Sequence, residues 1–258
     1  MSELNDPLVN AALAGEGTIP KARNPKKIFM GSAMQDSMRK ETSNFWSSIR
    51  AGMIPDYKFV TLRLSGYGLP KCRNVLTWVA RQTDCGRIMM VDSDMNPRLE
   101  DVVRLLSHDV ELVSGCYPQK RFDKLSWVGN FSGPAGPNGL APAYDFGGGF
   151  CSISLDFIDK MVEHYPETAF ESEDDPWRGK IMHDLWSNGP VTDEWHGRKY
   201  SRYLTEDYYL CYRARKMGVT PWMDSGCQVG HVGSIDYLQL WMGVKVLENQ
   251  SIFRAPTD

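Results

Sequence analysis

The run Arg87-Ile88-Met89-Met90-Val91 passes straight into Asp92-Ser93-Asp94, an apolar strand that ends in two alternating carboxylates. Side chains alternate along a strand, so continued extension would point Asp92 and Asp94 to one side and Ser93 to the other. Two anionic oxygen donors would then converge. Hard cations such as Mg2+ and Mn2+ favour this donor type and complete their shells with waters or substrate phosphates. The same tripeptide also suits a solvated turn that closes a strand, because Asp commonly opens turns. The surrounding sequence has to decide between them.

That sequence alternates strand and helix. Ile28-Phe29-Met30, Phe59 to Leu64, Ile88 to Val91 and Val110 to Ser114 read as strands, separated by helical stretches near Lys40 to Arg50, Arg73 to Arg81 and from Pro97 through Leu106. The order implies a parallel, doubly wound α/β sheet with ligands at the carboxyl ends of the strands, where Asp92 to Asp94 lies. Further on, Phe131 to Gly149 is crowded with Gly and Pro. Cys151 to Leu155 reads as a strand and Asp156 to His164 as a short amphipathic helix. Lys180 to Tyr203 has no sustained period and is long for a passive connector, so it reads as a binding loop or lid. Thr205 is placed to cap a helix from Glu206 to Met217 that Gly218 stops.

The 258 residues fit a loosely ordered arm over 1–26 and a single domain over 27–258. Within it, a first half covers about 27–115 and a second half about 116–258. A net charge of -3 gives no global basic signature, so a nucleic-acid partner would have to meet a local patch. Lys21, Arg23, Lys26 and Lys27 form a small basic cluster that reads as a solvated tail. The six cysteines lack any Cys-x-x-Cys pair and read as reduced, buried thiols. No stretch approaches the length of a membrane span, and the start lacks the order of a secretory signal. The expectation is a cytoplasmic protein, of a cell or of an infected host.

Five stretches occur in a telling order: Lys71-Cys72-Arg73-Asn74, Val91-Asp92-Ser93-Asp94, Gly147-Gly148-Gly149-Phe150, Thr205-Glu206-Asp207 and Gly230-His231. With them the chain resembles GT-A glycosyltransferases of the family 2-like group, compact phage-type enzymes included, over about Lys27 to Tyr237. The resemblance implies a Rossmann-like, mostly parallel sheet flanked by helices, with a smaller C-terminal acceptor-side portion. It implies a nucleotide-diphosphate-sugar donor, a hexosyl donor foremost, and Mn2+ or Mg2+ at an Asp-x-Asp motif.

Residue by residue, Asp94 matches the direct metal ligand of that group, Asp92 the carboxylate near the donor ribose or metal-bound water, and His231 the later metal ligand. The resemblance places Arg73 and Asn74 beside the donor nucleotide or its phosphates, and Gly147, Gly148 and Gly149 against the donor sugar. The matching acidic pair supplies the base. Asp207 is the candidate, with Glu206 able to carry the role instead, and an inverting course is preferred. Neither Gly31 to Asp36 nor Arg63 to Gly66 offers a clear nucleobase-reading acid. Trp177, Trp186 and Trp195 flank the long loop and could stack on sugar or base, or pack in the core. His183 and His196 could make contacts from the same loop.

For the acceptor hydroxyl, the resemblance points first to a hydroxymethylated pyrimidine in DNA. A metal-dependent phosphoesterase using Asp92, Asp94 and His231 is the rival enzyme reading, and a noncatalytic sugar- or DNA-binding module the rival without chemistry. A dehydrogenase is disfavoured, because no Gly-x-Gly-x-x-Gly turn follows the first strand.

Overall fold

Between Asn24 and Val91 the chain builds three mutually parallel strands, β1 (Asn24–Met34), β2 (Lys58–Ser65) and β3 (Cys85–Val91), with β1 in the middle. They are joined through α1 (Lys40–Arg50) and α2 (Leu69–Arg81). The computed structural model describes residues 20, 22–34, 38–195, 197–233 and 235–248. Alternation sorts β1 and β3 between two cores. Phe29, Ile88 and Met90 pack on one face with α2, while Ile28, Met30, Met89 and Val91 pack on the other with α1. A strand buried on both faces is apolar throughout, which is why Ile88 to Val91 shows no polar interruption.

After β3 come β4 (Met95–Asn96), α3 (Leu99–Leu106) and β5 (Leu112–Cys116), then β6 (Gly129–Phe131), β7 (Leu140–Phe146) and β8 (Phe150–Ser154). Helix α4 (Leu155–His164) follows, then β9 (Ala169–Glu171), β10 (Ile181–His183), β11 (Gly189–Trp195) and β12 (Arg198–Leu204). Helix α5 (Glu206–Lys216), β13 (Trp222–Gln228), β14 (Gly230–His231) and α6 (Tyr237–Glu248) complete the described chain. Eight strands form one sheet in the order β2-β1-β3-β8-β5-β13-β7-β6. The α/β class is as expected, with a large, mostly parallel sheet between helices. Helices α2, α4 and α5 cover one face and α1 and α3 the other.

Three expectations need correction, and one stretch left unassigned proves to hold a strand. The sheet is not wholly parallel, since β8 runs antiparallel between β3 and β5, and β7 antiparallel beside β13. The Gly- and Pro-rich stretch contains β7, whose Leu140, Ala141, Ala143 and Phe146 are buried. Lys180 to Tyr203 is no irregular lid. It holds β10 and a two-stranded hairpin in which β11 and β12 pair from Gly189–Leu204 to Trp195–Arg198. Its inward side sets a buried carboxylate beside Val191, which breaks any sustained apolar period: Asp193 is buried against Arg215 at 2.6 Å and Arg202 at 3.4 Å.

The last correction concerns the start of the domain. Residues 1–19 and Lys21 of the expected arm lie outside the described residues, but β1 already begins at Asn24, and Arg23 is no solvated tail residue. Its guanidinium meets Asp159 at 2.6 Å and Asp156 at 3.2 Å and donates to the carbonyls of Thr83 and Cys85. The six cysteines are free and buried, as expected. Among the described residues no helix is long and apolar enough to cross a membrane.

The Arg23 contacts yield a stability test. Arg23→Ala strands two carbonyls and half of the Asp159 ion pairing, and should cost about 2–3 kcal/mol in urea denaturation, against under about 0.5 kcal/mol for exposed Lys26→Ala. Equal small losses would return Arg23 to the status of a tail residue.

Candidate functional site

The strand geometry of β3 stops at Val91. Residues 93 and 94 form a turn, closed by the Met95 amide donating to the Asp92 carbonyl at 3.2 Å. The two carboxylates therefore diverge in partner instead of sharing one strand face, contrary to the simple alternation expected above. Asp92 turns to Arg73, and Asp94 turns to His231 and Lys120.

A short ribbon brings His231 to Asp94 across most of the chain. β14 pairs antiparallel with β4, His231 opposite Met95 and Gly230 opposite Asn96, and the Val232 amide donates to the Asp94 carbonyl at 2.8 Å. Gly230 is required there, because a Cβ would strike the Asp236 carboxylate and the Asn96 side chain. His231 Nδ1 lies 2.7 Å from the Pro118 carbonyl, and a carbonyl only accepts, so Nδ1 carries the proton. Nε2 is left facing Asp94 Oδ2, 3.6 Å away. The Tyr117 ring holds the imidazole edge-on at 5.3 Å. Burial pushes the Asp94 carboxyl up, but His231 and Lys120 outweigh it and bring it down to about 2.

Arg73 lies at the centre of a second group. The side chain is 1% exposed, and it projects from the second turn of α2, which starts at Leu69 with Pro70 in its first turn. It donates to the Gly148 carbonyl at 2.7 Å and to both Asp92 oxygens at 2.9 and 3.2 Å, and Nε faces Glu206 at 3.4 Å. Burial opposes its charge, yet Asp92, Glu206 and Asp207 together raise the guanidinium above its ordinary value. Burial likewise pushes Asp92 and Glu206 up, with Arg73 opposing in both cases. Arg73 cannot give up its proton under ordinary conditions, so its positive charge persists in the buried corner.

Glu206 and Asp207 open α5 as expected, but they part company. Glu206 is buried on Arg73, whereas Asp207 is half-buried and held by three donors. These are the Thr205 hydroxyl at 2.8 Å, the Tyr208 amide at 2.8 Å and the Gly148 amide at 3.1 Å. Thr205 occupies the N-cap position without accepting a capping bond, its hydroxyl being turned to Asp207.

Several assigned roles change with this geometry. Arg73 commits both terminal nitrogens to Gly148 and Asp92, and its Nε faces Glu206 without a hydrogen bond, so its fork is turned to protein groups. Asn74 is buried between Asp184 and the Trp186 amide, 2.7 and 2.9 Å away, so it ties α2 to the chain around Trp186 and does not face a donor. Gly147, Gly148 and Gly149 are packed against protein groups. A Cβ on Gly147 would strike the Tyr117 hydroxyl, one on Gly148 the Arg73 guanidinium, and one on Gly149 would crowd Tyr117 and Asp92. Trp177 and Trp186 are core residues, the Trp186 indole donating to Thr77 at 2.9 Å. His183 meets Thr168 in the β9–β10 ribbon. The Trp195 side chain, His196, Gln35 and Asp36 lie outside the described residues.

Sequence reading missed Tyr117, Pro118 and Lys120, which no motif marks. Lys120 Nζ sits 2.6 Å from Asp94 Oδ2. Among the described residues no three metal-ligating side chains gather in one group, so Asp92 does not join Asp94 and His231 as a third ligand. The remaining donor set, one carboxylate oxygen and one imidazole nitrogen with a fixed tautomer, still fits Mn2+ or Mg2+. Such ions are commonly held by one or two protein groups plus substrate phosphates and water.

No family model matches the chain, and no curated protein matches it. Among solved structures the chain is similar to A197 from STIV, with 14% identity and a TM-score of 0.49 over 81% of this chain and 86% of that one. It is also similar to 4-diphosphocytidyl-2C-methyl-D-erythritolsynthase from Anaerococcus prevotii DSM 20548, at 12% identity and a TM-score of 0.34, covering 59% of this chain and 82% of that one.

The glycine assignment is open to a direct check. Gly148→Ala drives a methyl into a buried guanidinium that cannot retreat, and should lower stability by about 1–3 kcal/mol in thermal or urea unfolding. An unchanged melting curve would show that Arg73 is not packed against that glycine.

Proposed function

We propose that the protein is a metal-dependent glycosyltransferase that moves a sugar from a nucleotide-diphosphate-sugar to an acceptor hydroxyl. The observation that supports this best is the pairing of Asp94 with His231, whose Nε2 is turned toward that carboxylate by the Nδ1 bond to Pro118, at the carboxyl end of β3. Asp207 belongs to the same corner through the glycine turn: its carboxylate accepts from the Gly148 amide, while the neighbouring Gly149 carbonyl accepts from the Asp92 amide. In this reading Asp94 and His231 hold the cation and Asp92 is the ion-paired strut beside them. A bound divalent cation would neutralise charge on the departing diphosphate, worth several kcal/mol.

The protein's own residues supply the rest. The acceptor oxygen attacks the anomeric carbon as the bond from that carbon to the diphosphate oxygen breaks. The bonding pair leaves with the nucleoside diphosphate, and the acceptor proton passes to Asp207. One displacement inverts the anomeric centre. Asp207 suits the task better than Glu206, because its carboxylate is half-buried, is oriented by three neutral donors and is not committed to an ion pair among the described residues. Glu206 is 6% exposed and committed to Arg73. The acceptor to test first is a hydroxymethylated pyrimidine in DNA.

The reading is tested with a panel of nucleotide sugars and Mn2+, with and without hydroxymethylated DNA, by nucleoside diphosphate release and acceptor mass. Asp94→Asn and His231→Ala should abolish release and transfer. Asp207→Asn should bind donor normally while transfer falls by about 10²–10⁴-fold. Full turnover in Asp207→Asn removes it from the base role, and metal-independent turnover in Asp94→Asn removes the cation.

A further inference from the structure

We propose that Lys120 is the resident counter-ion of Asp94 and competes with the divalent cation for that carboxylate. The inference rests on the cation reading above and adds the residue that governs it. Lys120 Nζ is 2.6 Å from Asp94 Oδ2, the same oxygen that His231 Nε2 approaches at 3.6 Å. A cation bridging Asp94 and His231 takes the place at that oxygen which the ammonium holds. The two positive charges exclude each other.

The corner is anionic as a whole. Asp92, Asp94, Glu206 and Asp207 are faced by Arg73 and Lys120, with His231 held beside Asp94 by the Pro118 carbonyl. Of the two cations only Lys120 can move. Arg73 is 1% exposed and anchored by three chain segments, whereas the Lys120 side chain is 33% exposed on a flexible four-carbon stem. Lys120 also belongs to the loop that orients the histidine. Pro118, whose carbonyl fixes His231, is bridged to Trp127, and the Gln119 amide donates to the Ser126 carbonyl at 2.6 Å. The ammonium is thus presented from a closed loop base and can be withdrawn without disturbing the imidazole.

Displacement has a use. A lysine released from Asp94 lies beside the place where the cation would hold a diphosphate, and an ammonium is a good point-charge partner for phosphate oxygens. The site then resists binding the metal alone and accepts it more readily when a polyanion offers Lys120 a new partner, a coupling that must be reciprocal.

The test uses Mn2+ alone, titrated into the full-length protein and followed by the electron paramagnetic resonance signal of free Mn2+. Lys120→Met should bind Mn2+ about tenfold more tightly than the parent, since a like charge next to the ion is removed. Lys120→Arg should stay near the parent, and Asp94→Asn added to Lys120→Met should lose the gain. The exposed position leaves folding intact, checked by thermal melting. Equal affinity in the parent and Lys120→Met overturns the competition while leaving the transferase reading in place. Failure of every variant to bind Mn2+ overturns the cation reading and this proposal with it.

Discussion

A single buried guanidinium holds the candidate site together. Arg73 reaches the end of β3 through Asp92, the glycine turn through the Gly148 carbonyl, and the start of α5 through Glu206. Each of these segments would otherwise bring an unpaired polar group into a poorly hydrated corner. Burying the arginine is costly, and that cost is offset only because its donors find acceptors from all three directions at once. The glycines follow from the same constraint, as the guanidinium occupies the space where a Gly148 side chain would be.

The arrangement divides two acidic pairs in the same way. In Asp92/Asp94 and in Glu206/Asp207, one member is locked against Arg73 and the other is turned away from it. The locked members supply negative charge that keeps Arg73 in place. The other two are left to meet something from outside: Asp94 is held by His231 and a partly exposed lysine, Asp207 by neutral donors. Adjacent residues of like charge thereby acquire different chemistry. A turn separates the first pair and a helix start the second.

Much of the fold was legible because its first half obeys simple periods. α1 spans Lys40–Arg50 as its amphipathic pattern requires, and β1, β2 and β3 lie where apolar runs place them. Legibility fails where polar contacts replace apolar ones. The β11–β12 hairpin turns Asp193 inward, so its alternation is invisible to a hydrophobic pattern. The strand direction of β8 depends on long-range pairing that no local window contains. The Asp94–His231 juxtaposition was readable only from the order of motifs, while the direction of Arg73 was not: an arginine early in a helix looks the same whether it faces a phosphate or a buried carboxylate. Lys120 sits in the exposed run Lys120 to Lys124, and nothing in its sequence neighbourhood separates it from a surface lysine.

The hairpin shows why such polar burial is worth retaining next to the helix that carries Asp207. Arg202 of β12 bridges Asp145 of β7, 2.8 Å away, and Asp193 of β11, while Arg215 of α5 reaches Asp193 at 2.6 Å and the Tyr144 carbonyl at 3.0 Å. Buried pairs of this kind add little net stability over a well-packed apolar contact, but losing one partner is expensive, since a charge is left unmatched. Their geometry is also discriminating. A one-residue slip of β11 against β12 would turn Asp193 outward and leave Arg215 facing Thr192 or Glu194. β12 runs directly into Thr205 and α5, so the register of the hairpin sets where Asp207 begins. A polar latch thus converts a surface ribbon into a fixed support for the carboxylate that it precedes.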